Sequence, residues 1–206
     1  MLMTVFFFAK DDKLLDSFVI SLQSEFNLTC AGDVGAFLEI QFTRPSDGSL
    51  ELTQPSLISK IVKECGLNEE SKHHNTPAVT KLLSKDSSGP QREHSWNYRK
   101  IVGMLTFLSM SSSPDIAFAI HQCACFSYCP MRIHEIAIHH ICRYLQDTST
   151  KGLILHPTLQ HRTLDCFVDA DFAGLWTEDG SSDVTSVKSR TGSVILFANC
   201  PVLWVS

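Results

Sequence analysis

The sequence predicts an α+β fold in two lobes, and three observations support this prediction. Alternating apolar residues and a Pro-Ser-Asp-Gly turn at residues 45–48 predict a β-hairpin in the N-terminal third. Apolar residues at helical spacing between residues 96 and 145, interrupted by Pro114 and Pro130, predict three consecutive helices. After Lys151-Gly152 the pattern becomes strand-like again, which predicts a small C-terminal sheet.

The N-terminal third is predicted to contain a strand, a helix, a hairpin and a second helix. An apolar stretch at the N-terminus indicates the strand, and apolar residues at helical spacing over residues 12–26 indicate the helix. Alternation over residues 36–42 predicts one strand, which the turn joins to a second strand at residues 49–53. Pro55 is typical of a helix start, and the apolar stripe that follows it ends at Gly66.

The rest of the chain divides into three parts by composition. Residues 67–94 are polar and are predicted to form a linker across the surface, residues 95–150 a helical connection, and residues 151–206 a sheet. Residues 1–66 are then the first structural part. The C-terminal sheet is predicted to contain four strands, at residues 153–155, 164–168, 193–197 and 202–204.

Composition indicates an ordinary globular protein without a membrane span. The 206 residues carry a formal charge of −5, 44% of them are hydrophobic, and no apolar stretch approaches the length needed to cross a bilayer. The negative charge provides no general attraction to nucleic acid, so any such binding is expected to be local. Eight dispersed cysteines without a secretory signal predict reduced thiols in an intracellular protein of the cytoplasm or nucleus, not a secreted one.

Few motifs indicate a metal centre or a small-molecule site. One short stretch holds four potential zinc ligands, His121, Cys123, Cys125 and Cys129. Their spacing would scatter them over several faces of a helix, so zinc binding there is the minor alternative to a structural role. His139 and His140 are expected at the surface or at an edge of the third helix. No glycine-rich phosphate loop or hydrolase elbow occurs, so no small-molecule substrate is inferred.

The strongest chemical motif is CFVDADFAG, residues 166–174, in which Asp169 and Asp171 stand two positions apart on a predicted strand. Residues two apart on a strand share a face, so both carboxylates could bind one divalent metal ion. They could equally mark the end of the strand. A two-metal phosphodiesterase site needs further carboxylates from other elements, because the two ions bring about four positive charges.

Four motifs, in their order along the chain, resemble the Pol polyprotein of copia-type retrotransposons. They are Tyr98-Arg99 with Gly103, Pro114 to Ala119, Arg143 to Leu145, and Asp169 to Asp171. In that family the corresponding helices and strand link the reverse transcriptase to its ribonuclease H domain. The segment VFFFAKDDKLLDSF resembles the region after the polymerase catalytic hairpin, and AFLEIQFTRPSDGSLELTQPSLISKIVKECGL resembles the primer-grip hairpin and the start of the thumb. The resemblance covers essentially the whole chain.

The resemblance implies part of a reverse transcriptase followed by a truncated ribonuclease H-like sheet. Residues 1–66 would hold a remnant palm strand, a primer-grip-like hairpin and a thumb-like helix. Residues 95–150 would be the helical connection, and residues 151–206 the first strands of the ribonuclease H domain. The implied function is that of a fragment of an RNA-directed DNA polymerase and ribonuclease H polyprotein in retroelement replication. Its implied partners are an RNA/DNA hybrid or a primer-template, and its implied cofactor is Mg²⁺.

The resemblance also implies a relict site, so the chain is expected to be inactive alone. Asp169 matches the first metal-binding carboxylate of the family's ribonuclease H and is the expected metal ligand, whereas Asp171 is a weaker catalytic candidate. The family has a Tyr-Val-Asp-Asp turn before the FFFAK-like strand, but MLMTV stands there in this sequence, and Asp11-Asp12 follow the strand. The later ribonuclease H carboxylates are not matched, so stable Mg²⁺ binding is not expected.

The alternative interpretation is a non-catalytic module reused from the element to bind nucleic acid or a partner protein. Its candidate nucleic-acid contacts are Lys60, Lys63, Arg99, Lys188 and Arg190. Glu39 stands where the family usually has glycine, and Ser113 where it usually has arginine, which lowers the positive charge near any bound nucleic acid. A third interpretation is an incomplete gene model of a longer enzyme.

Overall fold

A computed structural model describes residues 7, 9–29, 35–68, 74–85, 88–158, 160, 162–172 and 189–205 of the chain. These residues form helices and two antiparallel sheets, which confirms the α+β class. The chain divides into two units, residues 1–34 and residues 35–206.

In the first unit, helix α1 (Asp12–Glu25) confirms the predicted amphipathic helix. The Asp11 side chain caps it by accepting a hydrogen bond from the backbone N–H of Lys13 at 2.9 Å. Phe7 packs edge-on against Phe18 of the helix, with ring centroids 5.2 Å apart. The cap and the aromatic contact fix the start of the helix.

The second unit begins with two hairpins, where a single hairpin was predicted. Strands β1 (Ala36–Phe37) and β2 (Ile40–Thr43) pair antiparallel, so the prediction of one strand over residues 36–42 is wrong. Between them Leu38 and Glu39 adopt positive φ angles of 50° and 65°, which is the backbone of a two-residue hairpin turn. Glycine adopts this conformation at the least cost, so the turn gives a physical reason for the glycine usual at position 39.

The first sheet continues with β3 (Leu50–Thr53) and β4 (Leu153–Leu155), in the order β1-β2-β3-β4. The turn at residues 45–48 confirms the predicted hairpin between β2 and β3, and Gly48 has a φ of 81°. β4 was expected in the C-terminal sheet, but it pairs with β3 instead. Gly152 permits this pairing, since a Cβ atom there would lie 1.9 Å from the carbonyl oxygen of Leu52.

Four helices of the second unit surround one apolar core. They are α2 (Pro55–Glu64), α3 (Tyr98–Ser111), α4 (Ala117–Ala124) after a 3₁₀ turn, and α5 (Arg132–Asp147). The largest apolar side chains that are fully buried are Ile58, Ile61, Ile101, Leu105, Leu108, Ile116, Ile138, Ile141 and Leu145. Each such side chain stabilises the fold by roughly 1.5–3 kcal/mol relative to exposure. Among the described residues, every helix is too short or too polar to cross a membrane.

The segment between α2 and α3 was predicted as a polar surface linker, and its described residues 83, 84 and 90 contact the core or α5. Leu83 is buried against the core, and the carbonyl of Ser84 lies 3.0 Å from the His134 ring nitrogen. The carbonyl of Pro90 accepts a hydrogen bond from the backbone of Arg132 at 3.0 Å. These contacts hold the linker on the first turns of α5.

The second sheet contains β5 (Leu164–Asp171), β6 (Arg190–Phe197) and β7 (Cys200–Val205), in that order. Ala198 and Asn199 form a two-residue turn with positive φ between β6 and β7. The indole N–H of Trp204 donates to the backbone carbonyl of Ser109 at 2.8 Å, so one face of this sheet lies against α3.

Candidate functional site

The two carboxylates of the Asp-Ala-Asp motif lie at the end of β5, which is at the edge of the second sheet as far as the described residues go. Asp169 is opposite Gly192 and Asp171 is opposite Arg190 on β6. The alternation of the strand puts both carboxylates on the face that also carries Trp204, the face directed toward the helices. Both side chains are nevertheless exposed to solvent.

The described residues around these carboxylates do not fit a tightly held metal ion. Nowhere in the described ranges do three or more His, Cys, Asp or Glu side chains converge with the geometry of a metal site. Asp169 and Asp171 have the hard oxygen donors that Mg²⁺ prefers, but Mg²⁺ in a two-metal site requires several fixed carboxylates. Two exposed carboxylates bind Mg²⁺ weakly at best. The role of Asp169 as a metal ligand stays a prediction.

Arg190, predicted as a nucleic-acid contact, is directed toward α4. The side-chain amide of Gln122 satisfies its hydrogen bonds when its oxygen faces the Arg190 guanidinium. In this orientation the oxygen accepts hydrogen bonds from both terminal nitrogens of Arg190, one of them at 3.0 Å. The guanidinium carbon also lies 5.7 Å from the centre of the Phe118 ring. Gln122 is buried, so this contact attaches β6 to α4. The second predicted cation of this region, Lys188, lies outside the described residues.

The remaining predicted cations occupy two helices. Lys60 on α2 is 3.6 Å from the carboxylate of Glu39, and both side chains are largely exposed. Lys63, near the end of α2, is exposed, and its side chain makes no hydrogen bond or ion pair with another described residue. Arg99 on α3 donates from its Nε to the backbone carbonyl of Ser127 at 3.0 Å. Since two of these three cations already have partners, they do not form a continuous phosphate-binding surface.

The motif residues behind the family resemblance connect the three central helices to one another. The hydroxyl of Tyr98 on α3 donates to the carbonyl of Cys123 on α4 at 3.0 Å. The hydroxyl of Tyr144 on α5 donates to the carboxylate of Asp115, so the Arg-Tyr-Leu motif contacts the Pro-Asp-Ile motif directly. Burial and this carboxylate raise the pKa of Tyr144 to about 12. In this structure the motif side chains therefore have a packing role.

The most concentrated polar cluster of the helical region was missed by sequence reasoning. The Glu135 side chain, in the first turn of α5, is 0% exposed. Its oxygens accept hydrogen bonds from the backbone N–H groups of Glu93 and His94, both at 3.0 Å, and from the Arg132 guanidinium at 2.5 Å. The Nε atom of Arg92 lies 3.5 Å from the same carboxylate. Glu135 thus attaches the linker before α3 to the start of α5.

The surroundings of Glu135 stabilise its charged form strongly. Burial by itself disfavours the carboxylate, but the N–H of Glu93, the guanidinium of Arg132 and the N–H of His94 outweigh it. Together they lower the pKa of Glu135 from 4.5 to about 2. The only sequence signal for this cluster is an acidic residue in the first turn of a helix, which is common on protein surfaces.

His139 is buried, so the expectation of a surface or edge position is wrong for this residue, whereas His140 is half-buried. The ring of His139 contacts His94 at 5.0 Å and Trp96 at 5.7 Å between centroids. Burial, reinforced by His94, lowers the pKa of His139 below its ordinary value of 6.5. His139 is consequently a neutral packing residue at pH 7.

Comparison with curated proteins gives relatives along most of the chain. An uncharacterized mitochondrial protein of Arabidopsis thaliana is 28% identical over 191 residues, which are 92% of this chain and 73% of that protein. A putative transposon Ty5-1 protein of Saccharomyces cerevisiae is 26% identical over 198 residues, which are 96% of this chain and 61% of that protein. A retrovirus-related Pol polyprotein from transposon TNT 1-94 of Nicotiana tabacum is 26% identical over 204 residues, 96% of this chain and 14% of that protein.

These relatives confirm the resemblance seen in the motifs. The yeast and tobacco relatives are transposon proteins that align with 96% of this chain, which is consistent with a fragment of a Ty/copia-type retrotransposon Pol polyprotein. No protein-family model matches it, and no solved structure matches it. Since the chain spans 61% of the yeast protein and 14% of the tobacco polyprotein, the activity of a whole Pol polyprotein does not transfer to it directly.

Proposed function

We propose that this chain is the stretch of a retrotransposon Pol polyprotein that leads from the reverse transcriptase thumb, through a helical connection, into the ribonuclease H domain. The order of the motifs supports this position. The contacts of Tyr98 with α4 and of Tyr144 with Asp115 add to that support, because they give the motif residues a shared task in packing the connection. Its partner in the whole polyprotein would be an RNA/DNA hybrid or a primer-template.

We further propose that the 206-residue polypeptide has no catalytic activity of its own. One observation carries this proposal: Asp169 and Asp171 are exposed on an edge strand, and no third ligand group joins them among the described residues. Phosphoryl transfer by two metal ions needs several carboxylates held at fixed positions. The chain would instead serve as a structural connection between the parts of Pol that perform catalysis.

The test is to assay the purified chain for primer extension and for cleavage of RNA in an RNA/DNA hybrid, with Mg²⁺ or with Mn²⁺. We expect neither activity. If cleavage appears, an Asp169→Asn variant decides its source, with Asp165→Asn on the same strand as the matched control. Cleavage that disappears in the Asp169 variant and persists in the Asp165 variant would overturn the proposal, whereas cleavage that persists in both would indicate a contaminant.

Binding of the same hybrid separates the connection from a nucleic-acid-binding module. A binding module would show affinity that falls steeply as salt rises, because each neutralised phosphate contributes a slope of about 0.9 in log affinity against log salt. We expect no salt-dependent binding at low micromolar concentration, because Lys60, Arg99 and Arg190 already have protein partners. Salt-dependent binding that weakens in a Lys63→Ala variant would favour the module instead.

A further inference from the structure

Two cysteines far apart in the sequence meet in the core of the helical region. Cys65 follows the last turn of α2, and Cys142 lies on α5, 77 positions later. The Cys142 thiol donates to the sulfur of Cys65, and the two Sγ atoms are 3.6 Å apart. Both residues are buried at 0% exposure. No other pair of described cysteines is joined by a thiol contact of this kind.

We propose that Cys65 and Cys142 are a redox site, which a hydroperoxide converts from two thiols into a disulfide that joins α2 to α5. The sulfur atoms need to approach by about 1.5 Å to reach the bond length of a disulfide, near 2.05 Å. Rotation of the two side chains about their Cα–Cβ bonds moves sulfur atoms by this amount, and the helices that carry them already pack on one another.

The reaction balances with one molecule of peroxide. The Cys65 thiolate attacks one peroxide oxygen, the O–O bond breaks, and a sulfenic acid and a hydroxide ion result. The Cys142 sulfur then attacks the sulfenic sulfur and displaces its oxygen as water. With hydrogen peroxide as the oxidant, the hydroxide takes up the proton that the Cys65 thiol released. The two thiols thus lose two protons and two electrons in total, and these leave in two molecules of water.

Cys65 is the sulfur that solvent reaches first, because of its place in the fold. It ends α2, and the next residue, Gly66, leaves the helix with a φ of 72°. Helix ends open more readily than helix centres, so fraying of a single turn exposes Cys65 while α5 remains intact. The pKa of the Cys142 thiol is raised well above 9.0 by its hydrogen bond to Cys65 and by burial. Cys142 therefore acts as the resolving thiol.

Peptide mapping tests the proposal directly on the intact chain. The reduced protein is treated with hydrogen peroxide, its remaining thiols are blocked with N-ethylmaleimide, and it is digested with trypsin without reduction. Cleavage after lysine and arginine places Cys65 in the peptide of residues 64–72 and Cys142 in the peptide of residues 133–143. We expect these two peptides to appear joined, at a mass about 2 Da below the sum of the thiol forms, as two lost hydrogens require. Peptides joined through Cys125 or Cys129 instead would overturn the proposal.

Cysteine variants and thermal unfolding test the proposed disulfide independently. Cys65→Ser and Cys142→Ser should each abolish the joined peptide, whereas Cys200→Ser, which alters a buried cysteine on β7, should leave it unchanged. A disulfide that fits the native packing restrains the unfolded chain, so oxidation should raise the Tm by several degrees, and dithiothreitol should reverse the rise. A Tm that falls on oxidation would show that the bond does not fit the native packing, contrary to the proposal.

Discussion

Glu135 is the single side chain on which the junction between the linker and α5 most depends. Its carboxylate is fully buried and receives two backbone N–H groups and one guanidinium. A buried charge of this kind is stable only while its partners remain, because the cost of removing it from water is large. Its partners at positions 93 and 94 are 42 and 41 residues away, so no local pattern reveals them.

Replacing Glu135 with Gln should lower the free energy of unfolding at pH 7 by about 2–4 kcal/mol, because the guanidinium of Arg132 would lose its buried counter-charge. Urea unfolding measures this change. The matched control is Glu93→Gln, since Glu93 also pairs with Arg132 but its side chain is 64% exposed. The control should change the stability by less than about 1 kcal/mol. Equal losses in the two variants would contradict the buried role of Glu135.

The lowered pKa of Glu135 predicts how the stability of the fold depends on pH. Its folded pKa of about 2 lies below the ordinary 4.5, so its contribution is fully present above about pH 4.5 and is lost as the pH falls toward 2. Such a shift corresponds to roughly 3 kcal/mol at most. Unfolding followed from pH 6 to pH 2.5 should therefore show a smaller loss of stability in Glu135→Gln than in the natural chain. Parallel pH profiles would show that other carboxylates dominate acid unfolding.

Strand β4 can pair with β3 in the first sheet because the residue before it, Gly152, has no side chain. A side chain at Gly152 would collide with the backbone of Leu52 on β3. Gly152→Ala should separate β4 from β3 and lower the stability by about 2 kcal/mol or more, in the range typical of overpacking. Thermal unfolding and amide exchange of residues 153–155 measure the two effects.

Gly103 provides the control for this change. It lies in the middle of α3, and an added Cβ atom would meet nothing within 4 Å. Gly103→Ala should therefore raise the stability by about 0.5–1 kcal/mol, since alanine favours the helix. The two glycine variants should change the free energy of unfolding in opposite directions. A neutral Gly152→Ala variant would mean that the contact between β3 and β4 is looser than the structure shows.

The second sheet is attached to the helices through Trp204 and Arg190. Trp204→Phe removes the N–H group that donates to Ser109. This variant should lower the free energy of unfolding by about 1 kcal/mol and speed amide exchange in β6 and β7. The control is Leu203→Thr, which alters the opposite face of the same strand, where Leu203 is 50% exposed. Exchange that accelerates equally in both variants would argue against a docking role for Trp204.

At the scale of the whole molecule, the described residues of the second unit include an exposed apolar surface, on the face of the second sheet opposite Trp204. The most exposed apolar residues of this face are each between 48% and 70% exposed, and they are Leu164, Val168, Phe197, Leu203 and Val205. Contiguous exposed apolar patches promote self-association.

We therefore expect the chain to associate with itself at micromolar concentration. In sedimentation velocity, its sedimentation coefficient should rise with concentration, and the double variant Val168→Lys and Val205→Lys should reduce this rise. The control carries the same added charge elsewhere, as Met110→Lys with Tyr128→Lys, both at exposed apolar positions on the helical part. Equal effects of the two double variants would attribute the change to net charge and not to the sheet face.

The sequence by itself determined the α+β class, helices α1 to α5 within about two residues at most ends, and the resemblance to retrotransposon Pol polyproteins. These features depend on local information, namely apolar periodicity, proline breaks and the order of short motifs. The turn at Leu38 and Glu39 was not predicted, because the local pattern there is ambiguous. Alternation over residues 36–42 fits one strand as well as two, and two non-glycine residues with positive φ give no turn signal.

Only the tertiary structure decided which elements and side chains meet. It paired β4 with β3 across about a hundred residues, directed Arg190 toward Gln122, and buried Glu135, His139 and the two thiols of Cys65 and Cys142. Each of these outcomes depends on contacts between residues tens of positions apart. The local sequence around one residue does not predict its partner. Periodicity specifies which face of an element is buried, but the partner of each polar group is fixed by the packing of the whole unit.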